Sequence, residues 1–176
     1  MGKIKKPKAQ AKLIIGFIFQ EEGYFLSARQ ILKKRFGAID FENQALPFEH
    51  TDYYEHELGR DLKRKFISFA KLISYRDLPK IKTATNLIEK NLSRKESRRI
   101  NIDPGYLDLA KLVLASTKDY KHRLYLGRGI YGEITLFYEQ KSFKPWEWTY
   151  PDYRTPEYIA IFNRIREIYA EQLKNP

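Results

Sequence analysis

Apolar residues recur along this chain in three helical stripes, separated by short runs that either alternate or are continuously hydrophobic. Over residues 21–36, Phe25, Ala28, Leu32 and Phe36 share one face at a spacing of three or four, and Gly37 supplies the stop. A second stripe, Ile81, Ala84, Thr85, Ile88 and Leu92, follows Asp77 as a cap with Pro79 in the first turn. A third, Ile159, Phe162, Ile165, Tyr169 and Leu173, opens on Thr155, Pro156 and Glu157. These are a capping hydroxyl, a residue with preset φ and an acid beside the positive end of the helix dipole.

The remaining apolar segments predict strands. Residues 12–19 are almost unbroken in their hydrophobicity, as a strand buried on both faces should be. Residues 39–41, 66–73 and 98–102 are further strands, and 107–115 reads the same way. Residues 123–126 and 134–138 flank a glycine-rich turn and read as a hairpin. The order strand–helix–strand–strand–helix–strand over 12–102 is that of a ferredoxin-like split unit. With the hairpin and the last helix added, the expectation is one α+β domain over 12–176. The lysines at 3, 5, 6 and 8 with Pro7 predict a basic flexible tail over 1–11.

Composition narrows the classes. At 176 residues, 43% hydrophobic and 31% charged, the chain is long enough and apolar enough for one packed core. It holds no cysteine, which excludes thiolate catalysis, disulfides and every cysteine-ligated metal site. The longest apolar run, from Leu13 to Phe19, is far short of the ~20 residues a membrane helix needs, so a cytoplasmic address is expected.

The net charge of +11 is concentrated: residues 60–99 carry thirteen basic and four acidic side chains, and the chain on either side is nearly balanced. Such a stretch attracts phosphates, which makes a nucleotide or an RNA the expected partner. A solvated face that only confers solubility is the plainer alternative.

Several motifs offer chemistry. Gly127, Gly129 and Gly132 form a Gly-x-Gly-x-x-Gly with Arg128 inside it. Alternating Ile134, Leu136 and Tyr138 put a strand after it where a dinucleotide fingerprint needs a helix, so the glycines read as turn formers beside a candidate phosphate contact at Arg128. His50 and His56 are six apart, which suits no metal helix, and His122 lies among cations entering a strand. No metal and no cofactor is expected. Asn101, Ile102, Asp103, Pro104, Gly105 and Tyr106 read as a strand ending in a Pro-Gly turn that aims Asp103 and Tyr106. Tyr150, Pro151, Asp152, Tyr153 and Arg154 lead into the last helix, carrying an acid, a cation and phenols on a rigid loop.

Those segments, with Thr51-Asp52-Tyr53-Tyr54 and Lys118-Asp119-Tyr120 followed by His122-Arg123, resemble an uncharacterised prokaryotic family, the domain of unknown function DUF4416. The resemblance spans nearly the whole chain and supports a single domain. It implies no activity. A GTP-binding role sometimes attached to that family finds no counterpart here, because the chain has neither Gly-x-x-x-x-Gly-Lys-Ser/Thr nor Asn-Lys-x-Asp.

Three function classes follow. The leading one is a binding protein for a phosphate-bearing ligand, nucleotide or RNA, with Tyr106, Lys118, Arg123, Arg128, Tyr153 and Arg154 as contacts. The second is a small enzyme acting on an anionic metabolite, with Asp103, His122 and Asp152 as candidate acid–base groups and Arg154 as anion clamp. The third is a protein-interaction subunit using exposed aromatics. The site expectation common to the first two is that Asp103, Tyr106, His122, Arg123, Asp152 and Arg154 meet in one cleft near the glycine hairpin.

Overall fold

A computed structural model describes residues 10–49, 54–94 and 97–174, without the side chains of 55 and 56. The continuously apolar segment forms β1 (Gln10–Phe19), buried from Ala11 onward. Around it lie α1 (Glu22–Phe36), β2 (Ile39–Glu42), β3 (Leu46–Pro47), the one-turn α2 (Glu55–Leu58), β4 (Lys63–Phe69), β5 (Ile73–Ser74) and α3 (Leu78–Asn91). Next come β6 (Ile100–Leu107), β7 (Lys111–Ser116), β8 (Leu124–Gly127), β9 (Ile130–Glu139), β10 (Ser142–Pro145) and α4 (Pro156–Lys174).

The strands make one antiparallel sheet whose main path runs β10-β9-β7-β6-β1-β4-β2, with β3, β5 and β8 pairing to its side. The β6-β1-β4-β2 portion is compatible with the split unit expected from the sequence, and β1 is an interior strand, paired with β4 from Ile14 and with β6 from Lys12, both to Phe19.

Alternation along β1 sets the layers. Leu13, Ile15, Phe17 and Phe19 pack against α1 and α3 through Phe25, Ala28, Leu32, Ile81 and Ile88. Ile14 faces the opposite way and packs with Phe66, Leu107, Leu112 and Leu136 under α4, whose Tyr158, Phe162, Ile165 and Tyr169 cover them. The buried Lys12 ion-pairs with Asp40 and donates to Gln172 Oε1 at 2.6 Å, tying β1 to β2 and α4. None of the helices among the described residues is long and apolar enough to cross a membrane.

Three local expectations are corrected. Residues 101–106 form no turn: Pro104 and Gly105 lie inside β6, which continues to Leu107. The expected strands over 66–73 and 107–115 are each divided: β4 and β5 are separated by residues 70–72, and β6 ends at Leu107 before β7 begins at Lys111. The glycine hairpin stands as expected. Gly127, Arg128 and Gly129 all have positive φ between β8 and β9, the backbone such a turn needs.

Gly105, paired with Leu114, leaves no room for a side chain between β6 and β7. A Cβ there would meet the Val113 carbonyl oxygen at 2.5 Å, and backbone cannot yield as a side chain can. Gly23, in the first turn of α1, has open space around it. Urea denaturation is therefore expected to show Gly105→Ala destabilised by about 1–3 kcal/mol, whereas Gly23→Ala is neutral or stabilising by up to ~1 kcal/mol.

Candidate functional site

The ladder between β6 and β7 holds only from Leu107↔Leu112 to Gly105↔Leu114, after which the strands part. Pro104 explains the break. Ile102, two residues before it, turns its backbone toward the β7 side, so the N–H that Pro104 lacks is the one that would have continued the ladder. The freed groups of Ile102 are met by α3 instead: its N–H donates to Glu89 Oε1, and its carbonyl accepts from Lys82 Nζ at 3.2 Å. Side chains thus replace a missing strand, and the fork stays open.

The fork opens into a cavity of about 760 Å³, within the usual range of small-molecule sites. Its walls come from both sides of the sheet: Lys82, Asn86 and Glu89 from α3, and Arg64, Asp103, Glu133, Asp152 and Tyr153 from the face that α4 leaves partly uncovered. Sheet register places Arg64 on that face. It stands two residues before Phe66 in β4, opposite Ile18 and beside Gly16, where a Cβ would come within 3.1 Å of the guanidinium.

Arg64 has only 2% of its side chain exposed. Its guanidinium lies 4.6 Å from the centre of the Phe66 ring and 5.2 Å from that of Tyr153. It donates through Nη2 to the Tyr153 hydroxyl at 2.6 Å, stands 4.0 Å from the Asp152 carboxylate, and leaves Nε without a partner. Burial disfavours its charge, but the surrounding Tyr153, Asp152, Tyr158 and Asp103 more than offset that, so it remains a cation.

The two carboxyl groups at the fork are driven apart. Burial pushes Asp103 up, yet Lys82 at 3.2 Å, Arg64 and the hydrogen bonds from Lys82 and Asn101 outweigh it and hold the group below its ordinary range. Glu89 is 6% exposed, and there burial prevails: its pKa is pushed up to about 7 despite Lys82, the Ile102 N–H and Arg98. Arg98 stands 3.6 Å from Glu89 and is itself held by Glu57 at 2.5 Å.

The expected site residues separate into three groups. Asp103, Lys118, Asp152 and Tyr153 line the cavity. His122 and Arg123 stand behind its wall, both on Glu133 Oε2 at 3.2 and 2.8 Å, and Arg123 also donates to the Tyr150 hydroxyl at 2.7 Å. His122 is stacked on Trp148, which stacks on Trp146.

Tyr106, Arg128 and Arg154 lie elsewhere. Tyr106 points to the other face, edge-on to Tyr75, and burial pushes its phenol up to about 12. Arg154 spends its guanidinium on the carbonyls of Thr149 and Glu147, which shapes the loop before α4. Arg128 sits in the hairpin turn, apart from the cavity lining. His50 and residues 51–53 lie outside the described residues, as does the His56 side chain. Among the described residues no group of three or more histidines and carboxylates could hold a metal.

Of the segments that suggested a family, Tyr54, Asn101, Asp103, Lys118 and residues 150–153 line the cavity. The chain belongs to the family described as a domain of unknown function, DUF4416. The match runs over residues 9–169. No curated protein and no solved structure matches it.

Membership in DUF4416 carries no activity with it, so the chemistry rests on the side chains. Sequence reasoning passed over Glu89 and Glu133, and took Arg64, Lys82 and Arg98 only as members of the basic stretch over 60–99. A signal existed for the helix: Lys82, Asn86 and Glu89 follow one another at four and three residues on one face of α3, beside its apolar stripe.

The Glu89 environment sets a pH dependence. The folded protein holds a proton there between the ordinary value of 4.5 and about 7, where the unfolded chain has released it. Its contribution to stability is therefore complete below 4.5 and is lost as pH rises through about 7, a fall on the order of 3 kcal/mol. Asp103 acts in the opposite sense, losing its contribution as pH falls, below this window. Urea unfolding across pH 4.5–8 is expected to show that decline in wild type and a flatter profile in Glu89→Gln.

Proposed function

We propose that this cavity binds a small anionic metabolite, a phosphate-bearing one of up to nucleotide size, with Arg64 as the anion anchor. The observation that carries the reading is the state of that guanidinium. It is buried and charged, its hydrogen bond goes to a phenol with the nearest carboxylate, Asp152, at 4.0 Å, its Nε is unpartnered, and the residue lines a cavity. A buried charge without a full set of partners is costly, and an entering oxyanion relieves that cost with charge-assisted hydrogen bonds. Asp103 and Asp152 beside it suit hydroxyl or amino donors on the same ligand.

The basic stretch that suggested RNA supports this narrower reading better than a polyanion track. Arg64, Lys82 and Arg98 turn into the cavity, and Lys65 is tied to Glu22 and Glu42. The exposed Lys63, Lys71, Arg76, Lys80, Lys90 and Arg94 are spread over β4, a turn and both ends of α3. A strand of RNA needs a continuous groove of charge.

Calorimetric titration with pyrophosphate and with nucleoside monophosphates is expected to give saturable binding at one site. Arg64→Gln is expected to weaken it about 10–100-fold, the effect of losing a charged hydrogen bond. Arg128→Ala should leave it unchanged. Binding indifferent to Arg64, or an RNA affinity that exceeds that of every small anion and falls steeply with salt, would contradict the proposal.

A further inference from the structure

The backbone N–H of Ile102 needs an acceptor at the fork, and a glutamine carbonyl would serve as well as a carboxyl oxygen. The chain places an ionisable group there instead, in the wall of a cavity. The groups that face Glu89 are Lys82 from α3, Arg98 from the segment before β6 and Asp103 from β6. Each cation has a second carboxylate: Asp103 for Lys82 at 3.2 Å and Glu57 for Arg98 at 2.5 Å. When Glu89 is protonated, neither cation is stranded; when it is ionised, both stand ready to balance it. Few buried carboxyls are accommodated in both forms, since removing one charge of a buried pair normally leaves its partner uncompensated.

We propose that the cavity performs acid–base chemistry on the anion it holds, with Glu89 as the group that exchanges the proton. This rests on the reading of the cavity as an anion site. The substrate class is an anion that also carries an oxygen or nitrogen whose protonation state changes during the reaction. In the forward sense the Glu89 O–H bond breaks, a new H–O or H–N bond forms on the ligand, and the released electron pair stays on the carboxylate between Lys82 and Arg98. The reverse step restores the acid. Asp103, held ionised, orients the ligand and does not titrate in the same range. The upward displacement of Glu89 toward neutrality matches that division of roles, because an exchanging group is most effective near the working pH.

Sulfate is a suitable probe, since it fills an oxyanion site and does not itself titrate near neutral pH. An anion seated on Arg64 raises the proton affinity of Glu89, so calorimetry at pH 7 in buffers of different ionisation enthalpy is expected to show proton uptake with sulfate binding. Glu89→Gln should keep sulfate binding and abolish the uptake, and His122→Gln should keep both. Uptake that persists in Glu89→Gln, or binding without uptake in wild type, overturns the role of Glu89. Absence of any sulfate binding overturns the anion site itself, and the missing isotherm distinguishes that failure. Should Glu89→Gln not fold, the Glu89 carboxyl carbon followed by NMR in wild type decides. A midpoint near neutral that rises with sulfate supports the proposal, and a midpoint in the ordinary glutamate range overturns it.

Discussion

The missing hydrogen-bond donor of Pro104 is the constraint from which the candidate site follows. An antiparallel ladder is broken when one residue on the facing edge has no N–H to give. Here the break comes immediately after Gly105, where a side chain would collide with the Val113 carbonyl, so β6 and β7 pair closely at one end and part at the other. A gap within a sheet leaves unpaired backbone groups, and buried unpaired groups are costly. Glu89 and Lys82 satisfy those of Ile102, and in doing so they bring two ionisable side chains from α3 to the rim of a strand.

The rest of the charge is arranged around that rim. The α4 helix covers the part of the face built from Ile14, Phe66, Leu107, Leu112 and Leu136. Beyond its start, the 150–153 loop faces polar positions instead: Arg64, Asp103 and Glu133. Charge on the inner face of a sheet needs aromatic or ionic company. Phe66 and Tyr153 lie against the Arg64 guanidinium, Lys82 pairs with Asp103, and Arg123 with His122 holds Glu133. Packing and chemistry are therefore not separable here, because Tyr153 is at once a core residue stacked on Phe162 and the hydrogen-bond acceptor of Arg64.

The elements that could be read from sequence are those whose signal is local. The stripes of α1, α3 and α4 and the unbroken apolarity of β1 reflect burial along one element, and the glycine turn of the β8–β9 hairpin reflects backbone conformation at three residues. The fork was misread because Pro-Gly is ordinarily turn chemistry. Whether it bends a chain or interrupts a ladder depends on strand neighbours that sequence does not place. Arg64 was hidden in a run of three cations, although its position two residues before Phe66 marks it as inward-facing. Lys63 in the same run is exposed. Glu89 looked like an ordinary helix acid, since its burial depends on a neighbouring strand ending early. Asp103 and Asp152 were legible as candidates because they sit in segments with little local reason to carry charge. Arg154 was equally conspicuous, and it serves the loop.

The central claim is that Arg64 serves as an anion anchor, and its own Nε–H resonance tests that most directly. In nitrogen-detected or proton–nitrogen spectra of arginine side chains, titration with sulfate should move the Arg64 Nε–H signal downfield and slow its exchange with water, while the arginines outside the cavity, Arg128 and Arg154 among them, stay in place. An Arg64 signal that does not respond while exposed arginines do would contradict the account.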